Sequence, residues 1–122
     1  MKKIKAIQRL DIAFSKYIRN RDSIDGTNKC FTCGAVNRIE NLDNGHYISR
    51  QFMALRFNEY NCNPQCKVCN QYLGGNLEVY RENLIDKYGI ELVEKLESQK
   101  NVIKHYTNNE ILELIEYYKS KI

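Results

Sequence analysis

The sequence predicts an α+β fold, and three observations carry that expectation. Two Cys-x-x-Cys pairs, Cys30/Cys33 and Cys66/Cys69, stand about thirty residues apart in a chain of 122. Between them, short strand-like runs alternate with polar turns. On either side, apolar residues recur at the spacing of an amphipathic helix. The expected architecture is a basic N-terminal helix, a small central β-hairpin pinned to a helix by a metal, and two or three packing helices.

Taken in order, Ile4, Ile7, Leu10, Phe14, Tyr17 and Ile18 form a helical stripe over residues 4–19. Lys5, Arg9, Lys16 and Arg19 fall largely off that stripe, so they should face solvent or phosphate. Turn residues between Asp22 and Gly26 should end the helix. Cys30-Phe-Thr-Cys33-Gly34 follows as a knuckle. Its glycine tolerates the positive φ of a tight turn that aims backbone N–H groups at thiolates. Short strands are expected around Val36–Ile39 and Gly45–Ile48. Residues 49–60 should form a loop or short helix anchored by Phe52, Leu55 and Phe57. A second strand should open at Asn61-Cys-Asn-Pro64 and run into the second knuckle, with a helix starting near Asn70. The Asn76–Tyr88 stretch is helical in pattern and stops at Gly89. Residues 91–99 read as a short acidic helix. Thr107-Asn-Asn-Glu110 is a capping box opening a last helix to about Lys119.

The length fits one domain, divided as a basic helix (1–29), a metal-braced core (30–90) and C-terminal helices (91–122). An apolar content of 43% buries a modest core. The net charge of +4 is uneven: residues 1–29 carry eight Lys/Arg against three acids, whereas residues 76–122 carry seven against nine. A basic block of this kind is an electrostatic footprint for nucleic acid, and equally the pattern of a solvated helix face. The N-terminus lacks the apolar run of a signal peptide, and no segment is long enough to span a membrane. The expected location is the cytoplasm, where Cys-x-x-Cys pairs bind metal more often than they form disulfides.

Four thiolates suit zinc, because soft donors complete a closed tetrahedron. With no open coordination position such a zinc is structural, so any catalysis lies elsewhere. Cys62 falls outside both pairs and reads as a small buried hydrophobe.

Around the knuckles the residues resemble a known family. CFTCG, then GHY, then Asn61, then the Cys66–Cys69 pair followed by Asn70 is similar to the HNH (His-Me finger) endonucleases. The longer run CFTCG…GHYISR…LRFNEYN…QCKVCNQYLGGNLEVYRENLIDKYG, with YIRNRD before it, resembles the bacteriophage NinG/Rap recombination proteins over roughly residues 7–90. The resemblance implies a zinc-braced ββα-metal hairpin and a phage or prophage endonuclease working in the bacterial host. Its substrate would be branched recombination DNA, Holliday junctions included.

Carried over residue by residue, the resemblance makes His46 the general base that deprotonates the attacking water. Asn61 would brace the loop that orients this base. Asn70 would be a ligand of a catalytic Mg2+ or Mn2+. Many HNH enzymes have an aspartate directly before the histidine, and this chain has Gly45 instead. Asp43 shares the strand face of position 45 and is a candidate substitute ligand; alternatively Asn70 is the one protein ligand, with phosphate oxygens and waters filling the rest, and Asn76 is a further candidate. Arg50 and Arg56 flank the proposed hairpin, where their charge could hold the scissile phosphate; Lys5, Arg9, Lys16 and Arg19 would add DNA contacts. Hydrolysis should leave 5′-phosphate and 3′-hydroxyl ends. Junction preference would depend on how two active sites are arranged, which allows a homodimer. The competing readings are a zinc-stabilised DNA-binding module without catalysis, and an HNH nuclease without branch preference.

Overall fold

A computed structural model describes residues 2–122. Helix α1 spans Lys3–Asn20 and buries Ala6, Leu10, Ala13, Phe14 and Ile18. Ile4, expected on the buried stripe, is instead 73% exposed, in the first turn of the helix. Positive φ at Asp22, Asp25 and Gly26 reverses the chain after α1. Strands β1 (Thr27–Lys29) and β2 (Val36–Arg38) then pair antiparallel around the first knuckle. The β1 strand was not legible in the sequence, for it holds three polar residues.

A second antiparallel pair forms the centre: β3 (Leu42–His46) against β4 (Cys62–Cys66), in a register running from Leu42↔Cys66 to His46↔Cys62. The strand expected at Gly45–Ile48 therefore begins three residues earlier. Asp43, Asn44 and Gly45 are poor strand formers, and cross-strand pairing overrides their propensity. Pro64 is tolerated because its nitrogen and carbonyl both face away from β3, so the ladder misses no N–H there, and the carbonyl accepts Phe31 N–H at 2.8 Å. Between the strands, the short helix α2 (Met53–Arg56) buries Leu55, with Phe57 just beyond it, while Phe52 is only half-buried.

After β4 comes a turn of π-helix, Val68–Tyr72, in place of the helix expected from Asn70. Gly74, Gly75 and Asn76 all have positive φ and break it before α3 (Leu77–Tyr88) begins. Gly89, at φ 90°, separates α3 from α4 (Ile90–Ser98). The last helix, α5 (Asn108–Ser120), opens on the expected capping box: Glu110 N–H donates to Thr107 Oγ1 at 3.1 Å, and Thr107 N–H to Glu110 Oε1 at 3.2 Å.

Two apolar clusters hold the central sheet between them. One joins α1 to Ile111, Ile115 and Tyr118 of α5, with Phe57 and Cys62. The other joins Tyr80 and Leu84 of α3 to Val93 of α4, with Phe31 and Tyr47 packed against it. Each fully buried Leu, Ile or Phe here contributes about 1.5–3 kcal/mol. Because side chains alternate, Cys62 faces the first cluster while Asn63 and Gln65 face the second. The Tyr80 hydroxyl donates to Gly45 O at 2.7 Å and receives Asn63 Nδ2 at 3.3 Å, so α3 grips both strands of the hairpin.

Candidate functional site

Cys30, Cys33, Cys66 and Cys69 converge, and their four sulfurs all lie within 4.8 Å of one another. Four thiolates around one zinc at about 2.3 Å have tetrahedral edges of about 3.8 Å. Cys33 Sγ and Cys66 Sγ stand 3.8 Å apart. Each knuckle turns a backbone N–H onto its first sulfur: Cys33 N to Cys30 Sγ at 3.5 Å, and Cys69 N to Cys66 Sγ at 3.4 Å. Gly34, at φ 77°, makes the first turn possible. Burial raises the Cys30 thiol, but hydrogen bonds from Thr32, Cys33 and Cys66 outweigh it and bring the thiol down to about 6. The donor set, spacing and orientation fit a zinc ion, which this cluster could hold. Cys62 is no part of it; fully buried in the first apolar cluster, its thiol is pushed well up by loss of solvent.

A cleft of about 520 Å³ runs beside β3 and is lined by Asp43, Asn44, His46, Arg50 and Asn70, with Asp11 and Ser15 of α1 opposite. His46 ends β3, and its Nε2 lies 2.9 Å from the Arg56 carbonyl oxygen. A carbonyl only accepts, so Nε2 carries the proton of the neutral ring and Nδ1 keeps a lone pair. Burial holds the imidazole below its ordinary value, and Arg50 adds to this; the Arg56 carbonyl and Asp11 oppose it. Together these surroundings favour the neutral ring.

Asn61, fully buried, ties the chain on both sides of α2. Its Oδ1 accepts Ile48 N–H at 2.8 Å, while its Nδ2 donates to Ile48 O at 3.0 Å and Leu55 O at 3.1 Å. These bonds fix the backbone directly after His46 and the short helix whose last carbonyl holds the imidazole.

Asp43 and Asn70 meet: Asn70 Nδ2 donates to Asp43 Oδ2 at 2.9 Å, as does Gln71 Nε2, and Lys67 pairs with Oδ1. Burial raises the Asp43 carboxyl, yet these three donors together hold it below its ordinary value. Asn76 turns elsewhere. Its Nδ2 points at Cys69 Sγ, 3.8 Å away, so it serves the cysteine cluster rather than the cleft.

The arginines divide. Arg50 is largely exposed and pairs with Asp11 at 2.8 Å. Arg56 is mostly buried and bidentate on the same Asp11, which leaves it unsuited to a phosphate and makes it a strut between α1 and α2. Arg19 is also partly committed, its Nε donating to Ser15 Oγ at 3.0 Å and to Ser15 O at 3.2 Å. Lys5, Arg9 and Lys16 are exposed, but they lie about 100–140° round α1 from the Asp11/Ser15 face. Arg9 and Lys16 line a separate groove with Lys119 of α5. The basic helix thus presents its exposed face away from the His46 cleft.

Asp11, Lys67 and Gln65 were missed in the sequence. Asp11 had a signal, as the single carboxylate in α1. Lys67 had none, and Gln65 gains its place only through the strand register. No helix of the described residues is long and apolar enough to cross a membrane.

Comparison with known proteins agrees with this picture of a phage protein. Residues 1–122 match the family model described as Bacteriophage Lambda NinG protein. Protein ninG of Escherichia phage lambda is 40% identical over 96 residues, covering 78% of this chain and 45% of the relative. Protein ninG of Salmonella phage P22 is 39% identical over 93 residues, covering 75% and 44%. The chain thus spans a little under half the length of these relatives. No solved structure matches. The chain belongs to the NinG family.

Proposed function

We propose that the chain is a metal-dependent DNA endonuclease of the HNH type, acting on branched recombination intermediates such as Holliday junctions. The observation that carries this reading is the cleft in which His46, Asp43, Asn70 and Arg50 share one lining. Its oxygen donors, a carboxylate beside a carboxamide, suit Mg2+ or Mn2+, which prefer oxygen and keep several waters. When bound, the cation would polarise a non-bridging phosphoryl oxygen and stabilise the leaving 3′-oxygen. The Nδ1 lone pair of His46 takes the proton of the attacking water, leaving 5′-phosphate and 3′-hydroxyl ends. Asn61 and the Arg56 carbonyl hold the ring in that tautomer. Arg50, on an exposed and exchangeable pair with Asp11, would move onto the scissile phosphate. Cutting a junction on two strands takes two such sites, and a second copy of the chain would supply the other.

The test is incubation of purified, zinc-loaded protein with Mg2+ or Mn2+ and either a four-way junction or linear duplex. The junction should be cut faster. His46→Ala should lose about 10²–10⁴ in rate, the usual contribution of a general base, while keeping zinc and DNA affinity. Equal cutting of both substrates means a nuclease without branch preference. Binding with no cutting by the wild type, or wild-type cutting by His46→Ala at neutral pH, overturns the mechanism in favour of a binding module.

A further inference from the structure

Position 45 is where the resemblance leads one to look for a carboxylate, and Gly45 offers none. The space is nevertheless full. A Cβ built on Gly45 would lie 2.0 Å from Gln65 Oε1 and 2.6 Å from its Cδ. No side chain fits at 45 while Gln65 stands there, and what fills the space is itself an oxygen donor.

Gln65 is fully buried, and its two amide ends are treated unequally. Its Nε2 donates to Gly75 O at 2.9 Å and to Thr32 Oγ1 at 3.1 Å. Its Oε1 is buried without a hydrogen-bond partner. A buried carbonyl oxygen left unmatched is costly to the fold, so the atom calls for a ligand. The surroundings say which kind. Gln65 is the direct cross-strand partner of Asp43, and the two share the sheet face that looks toward the π-turn and α3. Asp43 in turn holds Asn70. Gly75, whose carbonyl fixes the other end of the Gln65 amide, lines the cleft together with Asp43 and Asn70. Asp43 and Asn70 thus line the cleft, while Gln65 lies buried behind that lining, across the strand pair from Asp43.

Building on the nuclease reading above, we propose that Gln65 Oε1 is the third oxygen donor of the cation site, standing in for the carboxylate absent at position 45. A carboxamide oxygen is a hard, neutral donor, so the site's charge rests on Asp43 alone. That suits a cation that also binds a phosphate. The Lys67 ammonium now on Asp43 supplies a positive charge that an arriving cation would replace.

Mn2+ binding to the zinc-loaded full chain, followed by titration calorimetry and by the electron paramagnetic resonance of free Mn2+, tests this without relying on cleavage. Gln65→Met keeps the volume and removes the oxygen; its Mn2+ affinity should fall at least the roughly tenfold that losing an outer-shell partner costs. Gln65→Glu keeps an oxygen but removes both N–H donors, and it should bind Mn2+ as well as the wild type or better. If Gln65 served only as a brace, Gln65→Glu would fail as badly as Gln65→Met. Zinc content and circular dichroism report folding. Should Gln65→Met not fold, Gln65→Ala against the double variant Gly45→Asp/Gln65→Ala decides, because the restored carboxylate should recover binding that alanine loses. Wild-type affinity in Gln65→Met, or no recovery in the double variant, overturns this assignment alone. Absence of Mn2+ binding by the wild type overturns it together with the nuclease reading.

Discussion

The cysteine cluster and the His46 cleft flank the same two-stranded sheet, one at the Leu42↔Cys66 end and the other reaching the His46↔Cys62 end. They differ in how their polar atoms are satisfied. Around the cysteines, identical soft donors face inward, and backbone N–H groups already point at two of them. Along the cleft, the charged groups rest on partners that can be exchanged: Asp43 on Lys67, and Arg50 on Asp11. Two buried oxygens of the hairpin, Asn44 Oδ1 and Gln65 Oε1, have no partner among the described residues. The comparison teaches that the cysteine cluster is completed by the fold itself, whereas the cleft keeps donors that the fold leaves open.

The largest effect that would sharpen this contrast is loss of the zinc. The cluster ties the first knuckle, β4 and the π-turn, three elements with few apolar residues of their own. Structural zinc sites of this kind are worth about 10–16 kcal/mol of apparent binding free energy, which is folding free energy for the elements they join. A chelator, or Cys69→Ala, should therefore melt the central region while α1 and α5 retain helical signal. Metal analysis should give one zinc per chain for the wild type and for Cys62→Ala. A chain that keeps its melting temperature without zinc would erase the distinction between the two sites.

A smaller effect belongs to the histidine. Burial favours the neutral ring, so the folded chain releases the His46 proton at a lower pH than the unfolded chain does. Cleavage should rise as pH climbs through that lowered value, below 6.5, and level off by neutrality. Stability should move the same way. Below about pH 6.5 the unfolded chain takes up the proton more readily, so folding weakens as the solution is acidified. His46→Ala should lose the acid limb of a single-turnover pH profile and regain some rate as hydroxide rises. An unchanged acid limb in that variant would assign the titration to another group and remove His46 as the base.

How much of this was legible in the sequence follows from the range of the interactions. Local signals served well: the α1 stripe, the stop at Gly89 and the Thr107–Glu110 box all depend on residues within a few positions of one another. The Cys-x-x-Cys pairs were legible because metal chemistry fixes their spacing. The β3 strand was misplaced because Asp43-Asn-Gly45 has no strand character of its own, and its pairing partner lies some twenty residues on. The same distance hid Gln65, which looks like an ordinary polar strand residue until the register sets it against Gly45. Arg56 shows the converse error. Its place near the hairpin suggested phosphate contact, but nothing local revealed that Asp11, forty-five residues earlier, would take two of its three guanidinium nitrogens.

The smallest expected effect concerns the basic face of α1, and it asks whether DNA extends beyond the cleft. Lys5 and Lys16 are exposed and lie well round the helix from Asp11 and Ser15, and neither lines the cleft at His46. Each lysine that does meet a phosphate releases counterions, adding about 0.9 to the slope of log affinity against log salt for duplex DNA. In a double variant, Lys5→Gln with Lys16→Gln, the cleavage rate at saturating junction should stay at the wild-type value, because the cleft is untouched. Its affinity should fall and its salt slope flatten by up to two such contacts, as the arms of a branched substrate reach past α5 to this face. Arg50→Gln should do the opposite, lowering the saturated rate more than the slope, since on the proposed mechanism its guanidinium would serve the reacting phosphate. A double variant with an unaltered salt slope would confine the DNA to the cleft and leave the charge on α1 as solvated surface.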